Sequence, residues 1–307
     1  MTQVTGDWLA RFKEALGAND LKSALVAVES QATAHAGTAP VVQKRAAVKA
    51  ILAATPTQQL PGAALWLTDQ ESDTAKEIGS MLLARSYDQH PDEAIAILRR
   101  LADDPNWEVR EWAGSSVGEI FAGHFDELLP IMQDWSRDEA QFVRRAVCIA
   151  IRGAADRKRP ERAEPLLALA DTLAGDPSEE VKRNNGPFAV GGSLLACYPK
   201  QTLAHVRAWA ASDDEMLRWN AAMVFVAANA RKHIDEGLAI LSGLASDKRR
   251  PVWMAVASAA KNLVKRDQAR VEPELRRWLN DDRKLPASLA LRHITMHEKP
   301  GPANRTR

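Results

Sequence analysis

The feature that most constrains this chain is a short pattern returning at a nearly fixed step. An acidic turn is followed by an apolar residue, a cation and a helix rich in small residues. It is clearest in Asp104-Pro105-Asn106-Trp107-Glu108-Val109-Arg110-Glu111-Trp112, and returns as Asp138 through Val143-Arg144-Arg145, Asp176 through Val181-Lys182-Arg183, and Asp213 through Leu217-Arg218. Fainter copies are Val42-Gln43, Ala75-Lys76 and Val252-Trp253. The apolar anchors at 42, 75, 109, 143, 181, 217 and 252 are separated by steps of 33 to 38 residues. A step of that size holds two helices and two turns. Only the stacking of like units gives a physical reason for it to persist.

The expectation is an all-α fold, a right-handed α-solenoid of about seven HEAT-like helix pairs. It forms a single repeat domain over residues 1–298, in which residues 1–35 cap the stack. There Trp8, Leu9, Phe12 and Leu16 share one helical face. Residues 299–307, polar and broken by proline, read as a disordered tail. Each first helix ends on a large apolar residue (Leu101, Trp135, Leu173, Trp209, Leu244, Trp278), followed by an Asp or Ser able to cap the next helix. Pro105 and Pro177 suit a first helical position.

The chain has 307 residues, too many for one conventional core but unproblematic for a stack in which each unit touches only its neighbours. With 41 basic and 40 acidic residues it is no polycation, so any nucleic-acid binding must come from a local basic face. Cys148 and Cys197, far apart and without metal or redox spacing, read as buried thiols of a reducing cytoplasm. No apolar stretch is long enough to span a membrane, and Met1 to Trp8 does not resemble a signal peptide.

In a stack, equivalent positions line up. The residue after each anchor is a cation in five consecutive units: Lys76, Arg110, Arg144, Lys182 and Arg218. Arg145 and Arg183 double two of them, and Arg152 follows on the same helix as Arg144. Two readings stand side by side. The cations could bond to the Asp of the preceding turn and form a ladder inside the stack. Alternatively they could form a track for phosphates, which guanidinium forks match well. Among the aromatics, Trp135, Trp209 and Trp278 occupy equivalent first-helix ends and belong to the core. Trp107 and Trp112, five residues apart, do not share a face, so one can be buried and the other exposed to stack on a base. Glu108, Glu111 and Glu119 are the carboxylates available for electrostatic or general-base work. The histidines (35, 90, 124, 205, 233, 293, 297) form no ligand cluster, and there is no phosphate loop, HExxH or nucleophile elbow. Neither metal nor cofactor is expected. Gly191-Gly192 follows no strand and is read as permitting close helix packing or a bend.

Taken in order, Asn106-Trp107-Glu108-Val109-Arg110-Glu111, Trp135 with Phe142-Val143-Arg144-Arg145-Ala146-Val147 and Arg152, and Asp176-Pro177-Ser178-Glu179-Glu180-Val181-Lys182-Arg183 through Cys197-Tyr198-Pro199 resemble the HEAT-like DNA alkylation repair family, the bacterial alkylpurine DNA glycosylases, over roughly residues 70–245. The resemblance implies a C-shaped solenoid whose concave basic face holds double-stranded DNA. It also implies aromatic and acidic residues that contact a positively charged alkylated nucleotide. Trp107 and Glu111 match the family's Trp-Glu motif, and Arg152 matches the arginine ending its Val-Arg-Arg motif. Trp112 is a further lesion-facing candidate. Arg110, Arg144, Arg145, Arg152, Lys182, Arg183 and Arg218 would contact phosphates. The family's aspartate before the proline matching Pro199 has no counterpart, since Gly191-Gly192-Ser193-Leu194-Leu195-Ala196 holds no carboxylate. The segment Gly153-Ala154-Ala155-Asp156 also departs from the pattern. The expected function is a cytoplasmic, monomeric DNA-binding protein hydrolysing the N-glycosidic bond of alkylated purines. The alternative is a non-catalytic scaffold holding a protein partner in its concave groove.

Overall fold

A computed structural model describes residues 7–297, with side chains through residue 292. The proposed tail at 299–307 lies outside the described residues. Helices account for all the regular structure among them, with no strand. Their contacts gather into two compact units that meet in the chain at Ala154 and Ala155.

Among the described residues unit 1 holds nine α-helices: α1 (Asp7–Gly17), α2 (Leu21–Glu29), α3 (Val41–Ala54), α4 (Leu60–Thr68), α5 (Asp73–Arg85), α6 (Pro91–Ala102), α7 (Trp107–Gly123), α8 (Phe125–Trp135) and α9 (Gln141–Ala154). The two helices of the N-terminal segment bury Trp8 and Phe12, whose rings meet edge-on at 6.0 Å. The second helices of successive pairs pack side by side, α3 on α5, α5 on α7 and α7 on α9. The last contact is close because it is made through glycines. A Cβ on Gly153 would sit 2.8 Å from the Gly118 carbonyl oxygen, so any side chain there would push the two helices apart.

Unit 2 holds α10 (Ala163–Ala174), α11 (Glu179–Asn184), α12 (Leu195–Cys197), α13 (Pro199–Ala211), α14 (Glu215–Met223), α15 (Ile234–Leu244), α16 (Arg250–Arg266), α17 (Gln268–Trp278) and α18 (Lys284–His297). Between α11 and α12 the chain winds as a ten-residue π-helix, Asn185–Leu194. Gly186 and Gly191 permit it. A Cβ on Gly191 would meet the Val224 carbonyl oxygen and lie 2.8 Å from Ala227 Cβ. Of the pair Gly191-Gly192 only Gly191 serves close packing, inside a π-helix that the periodicity did not foretell, since a Cβ on Gly192 would meet only Pro187 O at 3.7 Å.

Five of the seven anchors (Ala75, Val109, Val143, Val181, Val252) are fully buried. Val42 is not, being 75% exposed. The buried face of α3 begins at Lys44 and continues through Ala47, Val48 and Ile51. The prolines also differ from expectation. The N-caps are Asn106 and Ser178, whose side chains accept from Glu108 N–H and Glu180 N–H, so Pro105 and Pro177 stand before the cap rather than inside the helix. Asp214 does cap α14, accepting from Met216 and Leu217 N–H, but in four other turns the acidic residue has another task. Asp104, Asp138, Asp176 and Asp247 each accept, on Oδ1, the backbone N–H two residues on, at 2.8 to 2.9 Å. This closes an Asx turn that satisfies a donor ahead of the helix. Trp135, Trp209 and Trp278 are buried, as their repeat positions imply, whereas Cys197 is only partly so.

Candidate nucleic-acid interface

The first turn of α7 organises the candidate site in unit 1. Asn106 caps the helix and also donates from Nδ2 to Ala36 O at 3.1 Å and to Asp73 at 2.7 Å. That ties the loop before α3 to the starts of α5 and α7. Trp107 follows, 48% exposed, with its ring meeting His35 edge-on at 5.4 Å. One turn further along, the Glu111 side chain is 41% exposed and receives Arg145 of α9 at 2.5 Å. An exposed indole and a half-exposed carboxylate thus stand on neighbouring turns of one helix face, with the carboxylate held by a guanidinium.

Beneath this surface lies a charged node that the sequence reading did not single out. Lys44 of α3 is fully buried, with Nζ 2.5 Å from Glu77 of α5 and 2.9 Å from Glu108 of α7. The hydroxyl of Thr38 also donates to Glu108. The signal was available. Lys44 and Glu77 interrupt helix faces that are otherwise apolar, and a charge on such a face must find a partner. Burial, only partly offset by Lys44, pushes the Glu77 carboxyl up to about 7. Burial opposes ionisation of Glu108 as well, but the hydrogen bonds from Thr38 and Lys44 outweigh it and hold that carboxyl below its ordinary value. Near neutrality the node therefore balances one ammonium against one full and one partial carboxylate.

Trp112 points elsewhere. Five residues at about 100° each carry it roughly 140° around the helix from Trp107. Its ring is half-buried, with Lys44 Nζ at 5.4 Å and the Arg45 guanidinium at 5.8 Å from its centre. Both cations lie within cation–π range.

The cations at these positions do not all do the same thing. Lys76 bonds to Asp104 at 2.9 Å, and Arg218 pairs with Asp247 at 2.6 Å. These are rungs of a ladder, but they run to the Asp of the following turn, not the preceding one. That Asp has its Oδ1 engaged in the Asx turn and offers Oδ2 to the neighbour. Arg110 and Arg144 instead donate to carbonyls of the turns just before them, Asp104 and Pro105 for the first, Asp138 and Glu139 for the second. Arg110 also lies 3.9 Å over the Phe142 ring. Lys182, in unit 2, is buried, with Nζ 4.5 Å over the Trp219 ring and 3.3 Å from Glu179, so its charge is used inside the unit. Arg183 is the outward member of that pair, its side chain 70% exposed beside Glu179. Arg152 is exposed near the end of α9. Ser193, where the resemblance would have an aspartate, donates its hydroxyl to Ala189 O at 2.5 Å within the π-helix.

A model of the family described as DNA alkylation repair enzyme matches residues 35–188, half of the chain. The chain belongs to the DNA alkylation repair enzyme family. The matched segment spans α3 through α11 and reaches into the π-helix, so it contains the Trp107–Glu111 turn and the buried node. No curated protein sequence matches this family member. Among solved structures it is similar to YibA of Escherichia coli, at 16% identity over 96% of this chain and 97% of that one, with a TM-score of 0.43. It is also similar to human deoxyhypusine hydroxylase, at 18% identity over 86% and 98% and a TM-score of 0.27. Among the described residues no cluster of three or more His, Cys, Asp or Glu could hold a metal ion, and no helix is long and apolar enough to cross a membrane.

Proposed function

We propose that this protein binds double-stranded DNA and hydrolyses the N-glycosidic bond of an alkylated purine at the Trp107–Glu111 face of α7. The observation that carries the reading is the pairing of an exposed indole with a half-exposed carboxylate one turn apart, inside the segment matched by the repair family. An N-alkylated purine is cationic, and an indole face attracts a cation by its quadrupole. As the glycosidic bond breaks, positive charge passes to the sugar. A fixed carboxylate nearby stabilises that charge more than it stabilises the ground state. Arg145 fixes the Glu111 carboxylate in one place, and Ser193 supplies no second carboxylate. Glu111 therefore has this role alone in the proposal. Exposed cations such as Arg152 and Arg183 are the candidates for phosphate contact, together with Arg110 and Arg144, whose guanidinium groups a phosphate would draw from their turn carbonyls, while Arg145 serves Glu111. Lys182 and Arg218 are structural in this reading.

Release of free alkylated purine from methylated duplex DNA tests it. Glu111→Gln should lower the single-turnover rate about 10²-fold while duplex affinity changes little. Release by the wild type at the uncatalysed rate would overturn the glycosylase assignment. Duplex affinity that does not fall steeply with salt would overturn the DNA-binding assignment as well.

A further inference from the structure

The surroundings of Trp112 suit a different ligand from those of Trp107. We propose that the groove between α3, α5 and α7 is a subsite for one unpaired nucleotide of a DNA strand, its base on Trp112 and its phosphate on Arg45 and Lys49. This rests on the DNA reading above and adds a second, chemically distinct contact to it. The groove encloses about 530 Å³, within the range of roughly 300–1,000 Å³ usual for small-ligand pockets. Leu52 and Met81 add apolar lining beside the indole of Trp112. Arg45 and Lys49 are one turn apart on α3, so both heads stand at the same rim. Among the described residues neither has an acidic partner. At the other end Arg85 is neutralised by Glu119 at 3.0 Å. The groove therefore presents two uncompensated positive charges beside an aromatic face.

The charge decides the ligand class. Trp112 already has the Arg45 guanidinium, which has no acidic partner among the described residues, within cation–π range, and Lys49 stands at the same rim, so a cationic base would meet like charge there. A neutral base joined to an anionic phosphate meets attraction at both ends. The base must also be unstacked, because within a duplex both of its faces are already covered by neighbours and none is left for the indole. Trp107 and Trp112 thus divide one helix, a cationic base being favoured at the first and an anionic nucleotide at the second.

Fluorescence anisotropy with a fluorescein-labelled oligothymidylate of about 10 nucleotides and a duplex of equal length, on the full chain at low salt, tests the subsite. Lys49→Glu and Arg45→Glu, both at exposed positions, should each weaken single-strand binding about tenfold and flatten its salt dependence, with duplex binding falling much less. Unchanged thermal unfolding of the variants shows that they remain folded. Equal losses for single strand and duplex, or no loss for either, would overturn the subsite. So would competition by poly-glutamate as effective as that by unlabelled oligothymidylate, which would mark a general polyanion surface. Normal duplex binding together with no single-strand binding by the wild type sinks this proposal and leaves the glycosylase reading standing. No binding of either form sinks both.

Discussion

The most deeply buried polar joints of the two units have opposite chemistries, although unit 2 also carries the Arg218–Asp247 pair nearer its surface. In unit 1 the joint between α3, α5 and α7 is ionic, with one buried ammonium, Lys44, shared by Glu77 and Glu108. In unit 2 the buried joint is neutral. Asn220 of α14 donates to Ala174 O at 2.7 Å and accepts Gly186 N–H at 2.9 Å, while Asn185 donates to Ala170 O at 3.0 Å. The backbone explains the difference. Regular α-helices such as α3, α5 and α7 satisfy their own mid-helix groups and leave only side chains to bridge them. Helix ends and a π-helix leave carbonyls and N–H groups over, and an amide that both donates and accepts is the side chain suited to them. An ionic joint is sensitive to pH and to loss of any one partner, whereas an amide joint is indifferent to pH.

The largest expected effect breaks the ionic joint. Lys44→Met leaves two carboxylates buried against each other and should cost about 3–5 kcal/mol in denaturant unfolding. A loss below about 1 kcal/mol would mean that the node opens to water. Next comes the amide joint. Asn220→Ala strands the Gly186 N–H and the Ala174 carbonyl and should cost about 2–3 kcal/mol, with the same value across neutral and mildly acidic pH. A pH-dependent loss there would erase the contrast between the units.

The smallest effect is the most diagnostic. The Glu77 carboxyl titrates at about 7 in the fold against an ordinary 4.5. The folded protein therefore holds a proton that the unfolded chain has already released. Stability from this group is complete below the ordinary value and is lost as pH rises through about 7. Glu108 works in the opposite sense, its contribution being lost only as the solution becomes acid enough to protonate it in the fold. Glu77→Gln imitates the protonated acid. It should unfold at nearly the wild-type temperature near pH 5 and become more stable than wild type by on the order of 1–2 kcal/mol at about pH 8. A difference that stays constant across that range would show that Glu77 is ionised throughout.

The helical architecture was legible because it rests on local information. The 33-to-38-residue step and the anchors Val109, Val143 and Val181 are readable from short stretches. Val42 was misread because an isolated apolar residue fits the repeat as well as the true face three positions deep in α3 does. Pro105 was misplaced by two residues because an Asx turn and an N-cap use the same residue types. The site was legible only in outline. Trp107 and Glu111 stood out, yet nothing within six residues of Trp112 says that Lys44 and Arg45 flank it.

By itself the sequence determined the repeat step and the helices, since each depends on neighbours along the chain. Tertiary structure decided what each cation does. Lys76, Arg110, Lys182 and Arg183 sit at equivalent or adjacent positions of the same motif. One pairs with an aspartate 28 residues on, one caps its own turn, one covers a tryptophan and one faces water. A long flexible side chain reaches any of these partners at similar cost, so its choice is set by which carboxylate or ring the next unit brings within a few ångströms.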